Sequence, residues 1–169
     1  MPDHRPDKTP EPKKVEQWLN ALTQPDPSIR EQASMALWHL WFHQKGVYGA
    51  QQLMQAESLL QTGNADKAET LLSDIIQAQP DFAEAWNRRA VMHYTQSNYW
   101  KAIGDCQKTI QLVPHHFGAL HGLGLCHSAL GNYVAAIQAF RKASEIQPYA
   151  LNNQRMILEC TAKLGDTPS

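Results

Sequence analysis

The side chains in this chain that could do chemistry are eight histidines, three cysteines and scattered carboxylates. His115, His116 and His121 lie close together, and nitrogen donors at that density suggest zinc. Zinc sites usually need four nitrogen or sulfur ligands in tight pairs. Here His115-His116 falls at a corner between two helical segments, His121 follows on the second turn of the next, and no cysteine stands beside them. Neither a metal nor any other cofactor is expected. Cys106, Cys126 and Cys160 fall inside helical segments without CxxC spacing, where a thiol packs as a small hydrophobe. An odd number without close spacing argues against a disulfide framework and fits a reducing compartment. Carboxylates such as Glu57 and Glu69 fall where nothing suggests an apolar pocket to raise a pKa. No GxSxG, HExxH, P-loop or GxGxxG motif occurs, so the chain is expected not to be an enzyme.

The elements that carry these residues repeat. Residues 83–116 align without a gap on 117–150 and again on 49–82, a period of 34. Ala56, Ala90 and Gly124 are the small residues of each first helix, and Ala68, Ala102 and Ala136 those of each second. Asn64, Asn98 and Asn132 sit in the turns between them, after Gly63, Ser97 and Gly131, and Pro80, Pro114 and Pro148 close each unit. Small residues at a crossing let two antiparallel helices approach closely. The turn residues tolerate positive φ, and each proline disfavours helix in the residue before it. A helix pair of this size cannot bury its apolar face alone, so neighbouring pairs must stack into one continuous core.

These residues carry a resemblance. Trp86, Ala90, Tyr99, Ala102 and Pro114, with Leu123-Gly124, Tyr133, Ala136, Phe140 and Pro148, match the signature of the tetratricopeptide repeat (TPR). The match is strong over 83–150 and weaker over 49–82, where Gln52 replaces the usual aromatic. Arg89 stands where the pattern has an apolar residue, and His93 and His127 where it often has tyrosine. The stretches AEAWNRRA and PHHFGALHGLG also resemble small bacterial and plant-organelle members of that family. The resemblance implies an all-α TPR solenoid: repeats over 49–82, 83–116 and 117–150, an N-terminal helical extension over 14–46 and a capping helix over 151–165. Residues 1–13, with four prolines among polar neighbours, are expected to be a disordered tail.

Composition narrows the rest. At 43% hydrophobic and 18% charged the chain can bury a core. A net charge of −1 without a basic cluster makes nucleic acid an improbable partner. No stretch reaches the roughly 20 apolar residues of a membrane span, and the N-terminus lacks the apolar region of a secretory signal. A cytoplasmic protein is the default expectation.

In the extension, Val15, Trp18, Leu19 and Leu22 mark a first helix, and Asp26-Pro27 offers an N-cap and first turn for a second. That second helix carries Trp38, Trp41 and Phe42. Two readings stay open: the aromatics pack on the first repeat, or they form a second interface that docks a partner or another copy of the chain. At Arg89 a partly buried ion pair with Asp105 is expected across the helix hairpin.

The family's ligands are usually peptides or helices held in the concave groove lined by the first helices. Carried onto this chain, the lining is Leu53, Glu57 and Leu60, then Asn87, Val91, Tyr94 and Thr95, then His121, Leu125 and Ser128, with Arg155 from the cap. The carboxylate clamp of chaperone-binding members is missing, because its places read Leu53, Glu57, Arg88, Gly118 and Gly122 and only Arg88 can donate. The expected function is a non-catalytic scaffold, adaptor or assembly factor that binds a protein or peptide partner, taking a peptide or an amphipathic helix in the concave groove. A homo-oligomerisation module built on Trp38, Trp41 and Phe42 is the alternative, and an enzyme or metal-dependent regulator stands third.

Overall fold

A computed structural model describes residues 12–166. Most of the expected disordered tail, and the last three residues, lie outside the described residues. Pro12 and Lys13, expected in that tail, instead open the first helix. Among the described residues there are nine α-helices and no strand: α1 (Pro12–Ala21), α2 (Pro27–Phe42), α3 (Gly46–Gln61), α4 (Ala65–Ala78), α5 (Ala83–Thr95), α6 (Tyr99–Leu112), α7 (Phe117–Ala129), α8 (Tyr133–Ile146) and α9 (Leu151–Gly165). The pairs α3/α4, α5/α6 and α7/α8 are the three repeats, and α9 closes the stack against α8.

Local chemistry sets the boundaries. Asp26 caps α2, its carboxylate accepting from the Ser28 amide at 2.8 Å with Pro27 in the first turn. Each first helix ends in the same knot: the amides of Asn64, Asn98 and Asn132 donate to the carbonyls of Leu59, His93 and His127, each at 2.8 Å. The residue before each of these asparagines has positive φ, 77° at Gly63 and Gly131 but 60° at Ser97. Each second helix stops two residues before its proline. The intervening Gln79, Val113 and Gln147 are extended, with ψ of 74°, 89° and 75°.

Packing inside a repeat is a matter of paired sizes. Gly124 faces Phe140 so closely that a Cβ there would lie 2.6 Å from the ring. The corresponding pair in the first repeat is Ala56 with Leu72, both in its core.

The N-terminal extension does not stack on the first repeat as one more helix pair. Only its end does so: Phe42 joins the core of Leu53, Leu72 and Phe82. The rest of α2 runs across the corners between units. Just beyond its C-terminal end, Gln44 donates to the Asp81 carbonyl at 2.9 Å and accepts from the Ala83 amide, and Lys45 pairs with Asp81. In its middle, Trp38 and Trp41 pack on His115, His116 and Phe117. Near its start, the Arg30 guanidinium lies 4.1 Å from the centre of the Tyr149 ring. Asp81, His115 and Tyr149 are equivalent places, one per unit. They are met in turn by Gln44 and Lys45 just beyond α2, by Trp41 and by Arg30, so α2 and the turn that follows it touch one corner of each unit. Its aromatics are occupied: Trp41 is 3% exposed, and Trp38 and Phe42 are half-buried. The face offered as a second interface is thus covered within the chain.

Candidate functional site

The first helices α3, α5 and α7 line two adjoining clefts. The larger, of ≈ 450 Å³, is bounded by Leu53, Glu57, Leu60, Arg88, Val91 and Thr95. The smaller, of ≈ 180 Å³, is bounded by Asn87, Val91, Tyr94, His121, Leu125 and the two cysteines Cys106 and Cys126. Val91 belongs to both and projects between them at 52% exposure. One groove thus gathers nine of the residues expected in the lining.

Their availability differs from the sequence reading. Leu53 is 1% exposed and belongs to the core, so it backs the wall and offers a partner no surface. Asn87 is 5% exposed, because its amide donates to both oxygens of Glu84 at 3.4 and 3.3 Å. The Thr95 hydroxyl donates to the Met92 carbonyl at 2.7 Å. His121 Nδ1 donates to Asn153 Oδ1 at 2.7 Å, which fixes the ring against α9. Ser128 and Arg155 line neither cleft. Ser128 is turned to α9, where the Cys160 thiol donates to its oxygen, and Arg155 lies in solvent 3.7 Å from Glu159. Leu60, Tyr94 and Leu125 are half-buried and remain open to the groove. Burial holds the Tyr94 phenol above its usual pKa.

The charged groups lining the clefts are Glu57 and Arg88, and they meet at 3.3 Å. Arg88 Nε also donates to Glu84 at 2.7 Å. Glu84 is the hub of a polar joint that the sequence did not reveal. It accepts from Arg88, from Asn87 and from His116 Nε2 at 3.0 Å. His116 Nδ1 accepts the Ala119 amide at 3.1 Å, capping α7, so the ring hydrogen sits on Nε2. Neither side chain of the Glu84–His116 pair is exposed. The periodicity hid this pair because both residues sit at inter-unit corners, outside the apolar stripes. Of the histidine cluster, His116 thus caps a helix, His121 braces α9, and burial lowers the pKa of His115. Among the described residues, no group of three or more His, Cys, Asp or Glu could hold a metal ion.

Arg89 grips Asp105 with two hydrogen bonds of 2.8 Å and donates to Ser73 at 3.0 Å, tying α5 to both α6 and α4. That ion pair raises the pKa of the guanidinium further.

Residues 53–117 and 117–150 match family models described as tetratricopeptide repeat, together more than half of the chain. The chain belongs to the tetratricopeptide repeat family. A TPR repeat-containing protein of Rhizobium etli is 32% identical over 114 residues, which cover 67% of this chain and 56% of that protein. The human Protein SGT1 homolog is 29% identical over 75 residues, 44% of this chain and 20% of its own length. The chain therefore spans about half or less of these relatives. Among solved TPR structures, the first TPR of Spaghetti (RPAP3), bound to the HSP90 peptide SRMEEVD, superposes with a TM-score of 0.66 at 16% identity. It covers 68% of this chain and 91% of that one. The TPR2B domain of yeast Sti1, in complex with an Hsp70 peptide, gives 0.61 at 16% identity, covering 67% and 95%. At such identity these structures share the TPR solenoid. Among the described residues, no helix is long and apolar enough to cross a membrane.

Proposed function

We propose that this chain is a non-catalytic protein-binding adaptor or assembly factor, and that its groove takes the apolar face of an amphipathic helix. The observation that carries this reading is Val91, half exposed between two clefts and flanked by Leu60, Tyr94 and Leu125. Aliphatic and aromatic anchors on one concave wall match residues spaced i, i+3, i+4 and i+7 on a helix. The structural neighbours that hold HSP90 and Hsp70 peptides support peptide binding as the general role. An acidic tail such as SRMEEVD nevertheless does not suit this chain's groove. Arg88, the cleft-lining cation, is already neutralised between Glu84 and Glu57, and Glu57 repels a further carboxylate. Burying a few anchors at roughly 25 cal/mol per Å² supplies affinity, and ordering costs take back part of it.

The test is affinity capture with wild-type protein and with Tyr94→Ala combined with Leu125→Ala. The double variant should lose the partner while keeping its helicity, and binding to the wild type should change little with salt. Capture that survives the double change, or that collapses at moderate salt, would place the partner elsewhere or make charge its basis.

A further inference from the structure

The smaller cleft lies where the second repeat carries the smallest of the three size pairings. Leu72 stands against Ala56 in the first repeat and Phe140 against Gly124 in the third. At the equivalent place in the second repeat, Cys106 stands with Ala90, and both line the ≈ 180 Å³ cleft. A thiol occupies far less volume than a leucine or phenyl side chain. Across the gap, α7 turns Gly122 and Cys126 towards α6, one helical turn apart on the same face. The missing Cβ of Gly122 would lie 3.5 Å from the Cys106 sulfur. Cys106 and Cys126 both line this cleft, at 3% and 1% exposure. Two thiols on different helices thus meet in a cleft that they share with Val91 and Tyr94.

We propose that Cys106 and Cys126 form a redox modification site, which a peroxide converts to a disulfide tying α6 to α7 beneath the groove. The effect on partner capture rests on the groove reading above; the thiol chemistry does not. The neighbouring thiol holds the Cys126 pKa down, and that neighbour together with burial pushes the Cys106 pKa up, so Cys126 is the attacking thiol. Cys126 gives its proton to water, and its sulfur attacks one peroxide oxygen. The O–O bond breaks, hydroxide leaves and is protonated to water, and Cys126 is left as a sulfenic acid. Cys106 then loses its proton and attacks the Cys126 sulfur. The S–O bond breaks and the second hydroxide leaves as water. Two thiols lose two electrons and two protons, and one peroxide becomes two waters. A peroxide is small enough for a cleft of this size. Closing the bond to about 2.05 Å draws the two helices together at the groove floor.

Cys160 is the internal control. It is as buried as Cys126, both at 1% exposure, but packs by Ser128 and lines neither cleft. The experiment treats the reduced full chain with hydrogen peroxide, alkylates the remaining thiols, and reads intact mass and mapped peptides. The expected product has lost two hydrogens, carries a Cys106–Cys126 link, keeps Cys160 alkylated and reverts with dithiothreitol. Cys106→Ser should stop at a Cys126 sulfenic acid trapped by dimedone, and Cys126→Ser should slow thiol loss about tenfold. A link that uses Cys160, a link between chains, or thiols left intact where a free cysteine peptide is oxidised would each overturn the proposal. Those results need no variant to fold. A disulfide that forms without changing capture counts against the groove reading and leaves the thiol site standing. Unreactive thiols in a protein whose capture fails with Tyr94→Ala and Leu125→Ala sink only the thiol site.

Discussion

Trp41 lies flat on His116, ring centres 4.0 Å apart and 23° between planes, while the far side of that imidazole donates to Glu84 at 3.0 Å. A helix outside the repeats thereby seals the polar joint between two of them. Water is kept from Glu84 and His116, so their hydrogen bond works in a medium where it is strong and where losing it is costly.

Trp41→Ala should therefore destabilise well beyond a surface change. Truncating a buried tryptophan costs about 3–5 kcal/mol, and here it also wets the His116 ring. Urea denaturation followed by helicity gives the number. A shift below about 1 kcal/mol would mean that α2 is not holding the corners together.

Glu84→Ala removes the acceptor from His116 Nε2–H and from Asn87, leaving buried donors unsatisfied. A loss of about 3 kcal/mol is expected, near the lower bound for breaking a buried charge pair, because Arg88 still reaches Glu57. Arg88→Ala, whose side chain is partly in water, should cost less. If the two variants cost the same, the joint is not centred on Glu84.

The repeats were legible because each depends on short-range rules: a small residue at each crossing, a positive-φ turn, an extended residue before proline. The period itself supplied the registry. What stayed hidden depends on where helices end up after folding. Nothing local says that Trp38 and Trp41 meet His116 and Phe117, some 75 residues away in sequence, and not the adjacent α3. Leu53 and Asn87 lie on the helix face that points into the groove, but periodicity resolves a face and not depth. The small side chain at Cys106 could have been read from the repeat alone, since the equivalent places hold Leu72 and Phe140.

Burial lowers the pKa of His93, His115 and His127. Around His93 the charges of Glu69 and Asp105 oppose that shift, and those of Lys101 and Arg89 add to it. In the unfolded chain each histidine titrates near 6.5. Above that pH both states are neutral there and these groups add no pH dependence. Below it the unfolded chain binds more protons, so stability falls as pH falls. The thermal midpoint should stay level from about pH 8 to 7 and drop from about pH 6.5 to 5.5, and His127→Gln should shallow the drop. A midpoint that rises over that window would show that the imidazoles are charged in the fold.

Ser97 holds φ of 60°, where the equivalent turns have Gly63 and Gly131. A side chain in that region costs about 1–2 kcal/mol, partly offset by the extra freedom glycine has when unfolded. Ser97→Gly should stabilise by about 0.5–1 kcal/mol, read as a raised denaturation midpoint with unchanged slope. A destabilised variant would mean that the Ser97 hydroxyl, 3.4 Å from the Tyr99 hydroxyl, matters more than its backbone.

Asp105→Asn tests whether the paired hydrogen bonds at Arg89 behave as a buried ion pair. The carboxylate side chain is 7% exposed and the arginine 20%, and His93 Nε2 lies 3.8 Å from the same carboxylate. An exposed pair is worth under about 1 kcal/mol, and breaking a buried one costs about 3–5 kcal/mol. Arg89 keeps Ser73 and some water, so a loss of about 2–3 kcal/mol is expected. Arg89→Met strands the carboxylate instead and should cost at least as much, while the combined change leaves no buried charge unpaired. The double variant should therefore lose less than the two single losses added together. Additive losses would mean that the two side chains contribute separately and that the link between α5 and α6 is carried by apolar packing alone.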